Sequence, residues 1–159
     1  MQLRSFFLLL FVSISMMACG PDYLFQQRIE IPNQEWTYEQ IADFEIEVKD
    51  TLELYNLILE IEHSVNYSKQ NIYVKIHTEF PSGEKLSKQI PINFADKGGQ
   101  WYGDCGSEWC TLLVNIQQGA FFNEAGNYTF SFEQFMRINP LPGIKALTFK
   151  VEKTAQQRQ

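Results

Sequence analysis

Few side chains in this sequence have the types and spacings that chemistry demands. Two histidines, His63 and His77, stand in no nucleophile elbow and no zinc-binding helix motif. Ser107 sits between two cysteines and has no local partner to activate it. Glu45 with Glu47, and Glu60 with Glu62, lie two residues apart and so share a strand face. Paired carboxylates can hydrolyse glycosides or hold calcium, but alternation on an acidic protein already places them on a solvated face. "KGGQ" at 97–100 neither follows a clear strand nor opens a helix, so it is no phosphate cradle. No catalytic residue, metal site, small-molecule substrate or bound cofactor is expected.

Cysteine supplies the clearest chemistry. Cys105 and Cys110 lie in "WYGDCGSEWC", and no further Cys or His stands nearby to complete a zinc site. In an exported chain such a pair forms a disulfide, worth about 2 kcal/mol for so short a loop in the chain-entropy model. The third cysteine, Cys19, has a different setting. Arg4 precedes an apolar run, "FFLLLFVSI" at 6–14, that is too short for the roughly 20 residues of a membrane span and ends near Ala18. These are the parts of a secretory signal, and a cysteine just after the small residue resembles a bacterial lipobox. Residues 1–18 are then the signal, and Cys19 carries a diacylglycerol and an acyl chain. This reading is preferred to an ordinary signal with an incidental cysteine, although Met16 and Met17 depart from the usual pattern.

The whole chain has 13 basic and 19 acidic residues, for a net charge of −6, and losing Arg4 with the signal takes it to about −7. Such a field repels phosphate backbones and anionic headgroups, which excludes nucleic acid and leaves membrane contact to the lipid. The remaining length suits one domain.

Those features rest on strands. From residue 42 onward apolar residues recur every second position. Phe44, Ile46 and Val48 face one way in "DFEIEVKD"; Tyr55, Leu57, Leu59 and Ile61 do so in "YNLILEIEH"; Ile72, Val74 and Ile76 do so in "NIYVKIHTEF". Further inward sets are Ile90, Ile92 and Phe94; Leu112, Val114 and Ile116; Tyr128, Phe130 and Phe132; and Leu147, Phe149 and Val151. "PSG" at 81–83 makes a hairpin turn, and Pro91 predicts an edge strand or a bulge. With "RIEI" at 28–31 there are about eight strands, and "NQEWTYEQI" holds at most one short turn. Strands without helices to cover them predict an all-β antiparallel sandwich, Ig-like or jelly-roll-like, over 28–152. Residues 19–27 are expected to be a lipidated linker and 153–159 a frayed tail.

Aromatic residues make up 14% of the chain, most at inward positions. Trp36, Trp101, Tyr102 and Trp109 are not. They either fold over one mouth of the sandwich or form a surface that stacks sugars or anchors a protein.

The stretch "YTFSFEQFMRINPLPGIKALTFKVEK" at 128–153 resembles the C-terminal end of the GldH family of gliding-motility lipoproteins. Gln134, Met136, Arg137, Pro140, Leu141, Pro142, Gly143 and Ile144 carry that resemblance. The cysteine after a short signal, Trp36, "FEIEVKD" and the hairpin region extend it along the chain, while the Cys105 and Cys110 pair departs from the family pattern. The resemblance implies a lipid-anchored, non-enzymatic component of the gliding machinery, working beside other motility and associated secretion proteins of the envelope. Gly20 lacks the aspartate that retains some lipoproteins at the inner membrane, so the outer membrane is expected. Arg137 is a candidate partner contact or a structural salt link. The rival reading is a surface glycan-binding module that uses Trp101, Tyr102 and Trp109.

Overall fold

The alternation read from the sequence is obeyed in most strands of the computed structural model, which describes residues 20–158. The signal and Cys19 lie outside the described residues. In chain order the strands are β1 (Tyr23–Glu30), β2 (Glu35–Trp36), β3 (Ala42–Val48), β4 (Glu53–Ser64), β5 (Asn71–Glu79) and β6 (Lys85–Asn93). They continue with β7 (Asp104–Cys105), β8 (Trp109–Ala120), β9 (Gly126–Gln134), β10 (Leu141–Pro142) and β11 (Ile144–Gln157). Three of these are two-residue pairings, and the other eight are the expected long strands. "NQEWTYEQI" contributes the end of a 3-10 turn, Pro32–Gln34, and then β2. In β3, Ala42, Phe44, Ile46 and Val48 are buried while Asp43, Glu45 and Glu47 face water.

The strands form a five-stranded sheet in the order β1-β11-β4-β8-β7 and a four-stranded sheet in the order β3-β9-β5-β6, with β10-β2 closing one end. All named pairings are antiparallel. Counting only long strands, one sheet holds the first, eighth, third and sixth and the other the second, seventh, fourth and fifth. That order is a jelly roll, which decides between the two expected sandwiches. Sequential long strands mostly lie in opposite sheets, and β5-β6 is the one sequential hairpin among them. Its turn is the predicted "PSG": the Gly83 N–H donates to the Phe80 carbonyl at 2.8 Å, with Gly83 at φ +84°. Pro91 lies on the edge strand β6, where a missing N–H costs least.

Between the sheets the core is aromatic. Phe149 of β11 is fully buried, with its ring centroid 5.6 Å from Phe44, 5.0 Å from Phe130 and 5.1 Å from Phe132. Tilted and edge-on contacts of this kind add about 0.5–1.5 kcal/mol per pair beyond burial.

Two expectations about the ends are corrected. The presumed linker is strand from Tyr23, and the presumed frayed tail is strand to Gln157. β1 pairs with β11, and Gln157 reaches Glu53. Leu24 and Phe25 pack on the core in an apolar run that does not alternate, while 154–157 extend the ladder without an apolar pattern, as backbone pairing allows. Phe149→Ala removes the ring that joins the two sheets. It should lower unfolding free energy by about 3–5 kcal/mol in a urea titration, and a loss below about 1 kcal/mol would contradict this packing.

Candidate functional site

Two inward series continue past their apolar residues into polar ones, and both do so at the same end of the sandwich. The β4 series ends on His63, which is fully buried. Its ring stacks on Phe94 at 4.3 Å and meets Trp101 edge-on at 4.9 Å. A proton on Nδ1 can donate to the Ser64 carbonyl at 3.0 Å, and Nε2 has no partner among the described residues. Burial pushes the His63 pKa below its ordinary value, against a smaller opposing pull from the Ser64 carbonyl.

The β9 series ends on Gln134, also buried. Its side-chain oxygen accepts the Met136 N–H at 2.8 Å, and its amide donates to the Ile138 carbonyl at 3.2 Å. The Tyr38 hydroxyl donates to the Met136 carbonyl at 2.6 Å, and the Phe135 N–H donates to the Tyr73 carbonyl at 2.8 Å. Segment 135–138 is thereby held against the outer face of the four-stranded sheet.

Against that segment lies an open groove of about 1060 Å³. Tyr38, Tyr73, Phe135 and Ile138 line it, and each is 39–46% exposed. Its rim carries Lys69 and Arg137. Glu133 lines one wall, bonded to Lys75 at 3.2 Å and to His77 Nε2 at 3.0 Å. Burial alone raises the pKa of Glu133, but the hydrogen bonds and charges of His77 and Lys75 outweigh it and hold the carboxyl below its usual range. Lys75 also lies 4.4 Å from the centroid of the Phe135 ring.

His77 Nδ1 is 2.7 Å from Ser87 Oγ, which completes a chain of serine, histidine and carboxylate that the sequence did not reveal. Register explains it, since Ser87 is directly opposite His77 across β5-β6. A nucleophile would also need N–H groups aimed at a developing oxyanion. Strand N–H groups lie in the plane of the sheet, whereas Ser87 projects from its face. The chain of contacts links β6, β5 and β9 across the sheet.

Three of the four paired carboxylates are likewise occupied by neighbours. Glu62 pairs with Arg28 and with Lys145 at 3.1 Å, and Glu60 pairs with Lys150 at 2.6 Å. Glu47 meets Lys49 at 3.3 Å on an exposed edge.

The four candidate aromatics differ in setting. Trp36 is fully buried, its indole N–H donating to the Gln40 carbonyl at 2.7 Å, so it is core and offers no binding surface. Trp101 is half-buried against the core and His63, Tyr102 is exposed, and Trp109 opens β8 with Lys145 at 5.3 Å from its ring centroid. Trp101 thus folds over the mouth of the sandwich. Cys105 and Cys110 are disulfide-bonded opposite one another across β7-β8. Arg137 makes no salt link among the described residues and is exposed, which corrects the structural alternative for it.

Residues 23–151 match the GldH lipoprotein family. The chain belongs to that family. A gliding motility lipoprotein GldH homolog of Christiangramia forsetii is 24% identical, covering 94% of this chain and 96% of its own. The gliding motility lipoprotein GldH of Flavobacterium johnsoniae is 22% identical, covering 92% and 91%. Among solved structures, a carbohydrate-binding module specific for non-crystalline cellulose is 12% identical with a TM-score of 0.45, over 89% of this chain and 77% of that one. In this GldH chain the family-like Gln134, Met136 and Arg137 build the groove, and Pro142 and Gly143 carry the chain into β11, with Gly143 at φ +84°.

Two predictions follow from the buried polar pair. Because the folded-state pKa of His63 lies below its unfolded value, neutral His63 favours the fold above roughly pH 6.5, and that contribution is lost as pH falls. Unfolding free energy should drop between pH 7.5 and 5.5 by up to about 1.4 kcal/mol per unit, and His63→Phe should shrink the drop; an unchanged pH dependence in that variant would refute the assignment. Gln134→Leu leaves the Met136 N–H and the Ile138 carbonyl without their partner. It should cost about 1–3 kcal/mol and speed amide exchange at residues 135–138 selectively.

Proposed function

We propose that this chain is a lipid-anchored, non-catalytic component of bacterial gliding motility, held at the outer membrane through Cys19 and acting by contacts with other envelope proteins. The match to the GldH lipoprotein family across residues 23–151 is the observation that carries this reading. Both relatives described above are named gliding motility lipoproteins. Cys19 follows the apolar signal and a small residue, and a covalent lipid there is the only added group the reading requires. Two or more acyl chains hold firmly, at about 0.8 kcal/mol per buried methylene.

The fold supports an orientation as well. Only residues 20–22 separate Cys19 from β1, so a lipid on Cys19 tethers the end of the sandwich where β1 begins. The groove lies toward the other end, beside the start of β5 and the end of β9. The nine residues of β5 span about 30 Å, which keeps the groove clear of the bilayer and open to a protein. The glycan reading has less support, because Trp101 is turned into the fold against His63.

Metabolic labelling with a palmitate analogue should mark the wild type and not Cys19→Ala, and the variant should fail to restore spreading to cells lacking the chain. Ser87→Ala should restore spreading to within about twofold. Label that survives in Cys19→Ala would overturn the anchor. Loss of spreading in a folded Ser87→Ala protein would overturn the non-catalytic reading.

A further inference from the structure

The groove beside segment 135–138 has the opposite charge character to the protein that holds it. The chain carries a net −6, yet the groove's rim presents Lys69 and Arg137, and neither is paired with a carboxylate among the described residues. Its one lining carboxylate, Glu133, is already bonded to Lys75 and His77. In the same groove, Tyr73, Phe135 and Ile138 keep large apolar surfaces in water. Their supporting segment is fixed by the Gln134 and Tyr38 hydrogen bonds, so a ligand would meet a preformed surface at little ordering cost.

We propose that this groove docks an extended acidic segment of a partner protein, one in which a carboxylate stands beside an apolar side chain. This rests on the protein-contact reading above and adds the chemistry of the partner. The free guanidinium of Arg137 matches a carboxylate in fork geometry, and Lys69 supplies a second point charge. The exposed rings take the apolar side chain, as aromatic anchors do at interfaces. At about 1060 Å³ the groove reaches the upper end of small-molecule pockets while remaining open, which suits a length of chain. Complementary charge also steers a segment to this face and away from the acidic remainder of the surface.

The test uses the full chain in its native envelope. A photocrosslinking phenylalanine analogue is placed at position 135 and, separately, at Leu113, which is exposed on the outer face of the five-stranded sheet, and the captured peptides are sequenced. Position 135 should capture a partner peptide with more Asp and Glu than Lys and Arg. Adding Lys69→Glu with Arg137→Glu should cut that yield at least tenfold, with the urea midpoint unchanged. A neutral or basic captured segment, capture of lipid or glycan, undiminished yield in the charge-reversed chain, or capture at 113 alone overturns the acidic-segment proposal. Capture at 113 alone leaves the protein-contact reading standing, whereas no protein captured from either position overturns both.

Discussion

The ring of Phe149 holds the two sheets together. It meets Phe25 of β1 at 6.4 Å on its own sheet, and Phe44, Phe130 and Phe132 of the opposite sheet at 5.0–5.6 Å. In a jelly roll, chain neighbours mostly lie in different sheets, so few contacts are local and the closure of one sheet on the other carries the burden of stability. Strand alternation supplies the matching faces, and the aromatic cluster sets how they interlock. The outer faces can then carry charge, because outside Ala146–Phe149 the core draws mainly on every second residue.

How that charge is arranged decides what the surface can do. On the five-stranded sheet, Glu60 and Glu62 are matched to Lys150, Lys145 and Arg28 from neighbouring strands. On the four-stranded sheet, Glu133 joins Lys75 and His77, and His77 joins Ser87. Carboxylates neutralised in this way are poor candidates for acid-base work. Arg137 and Lys69 are the contrast, since they project beside apolar rings with no such partner. For Arg137 a buried glutamine is the reason, because Gln134 holds the turn from which Phe135, Met136 and Arg137 project.

The disulfide plays a smaller part. Cys105 and Cys110 face one another on β7 and β8, and the bond pins a loop whose inner aromatic, Trp101, covers His63. That cover leaves His63 dry and favours its neutral form.

Within the sequence alone, period-two spacing determined the class of fold, the eight long strands, the inward residues and the β5-β6 hairpin. These are local consequences of a strand's two faces, and local sequence is enough to read them. The Gln134-to-Ile144 block and the cysteine after the signal were also legible, and they pointed to the family. The ends of the sheet were not, because the apolar run from Tyr23 to Phe25 does not alternate and Thr154 to Gln157 carry no apolar pattern, so neither shows a strand's two faces in sequence. The burial of Trp36, the link from Ser87 to Glu133 and the groove likewise depend on which strands become neighbours. His77 meets Glu133 only because β9 lies beside β5, more than fifty residues away in sequence. Sheet order follows from how two aromatic faces close on each other, and only the tertiary structure decides it.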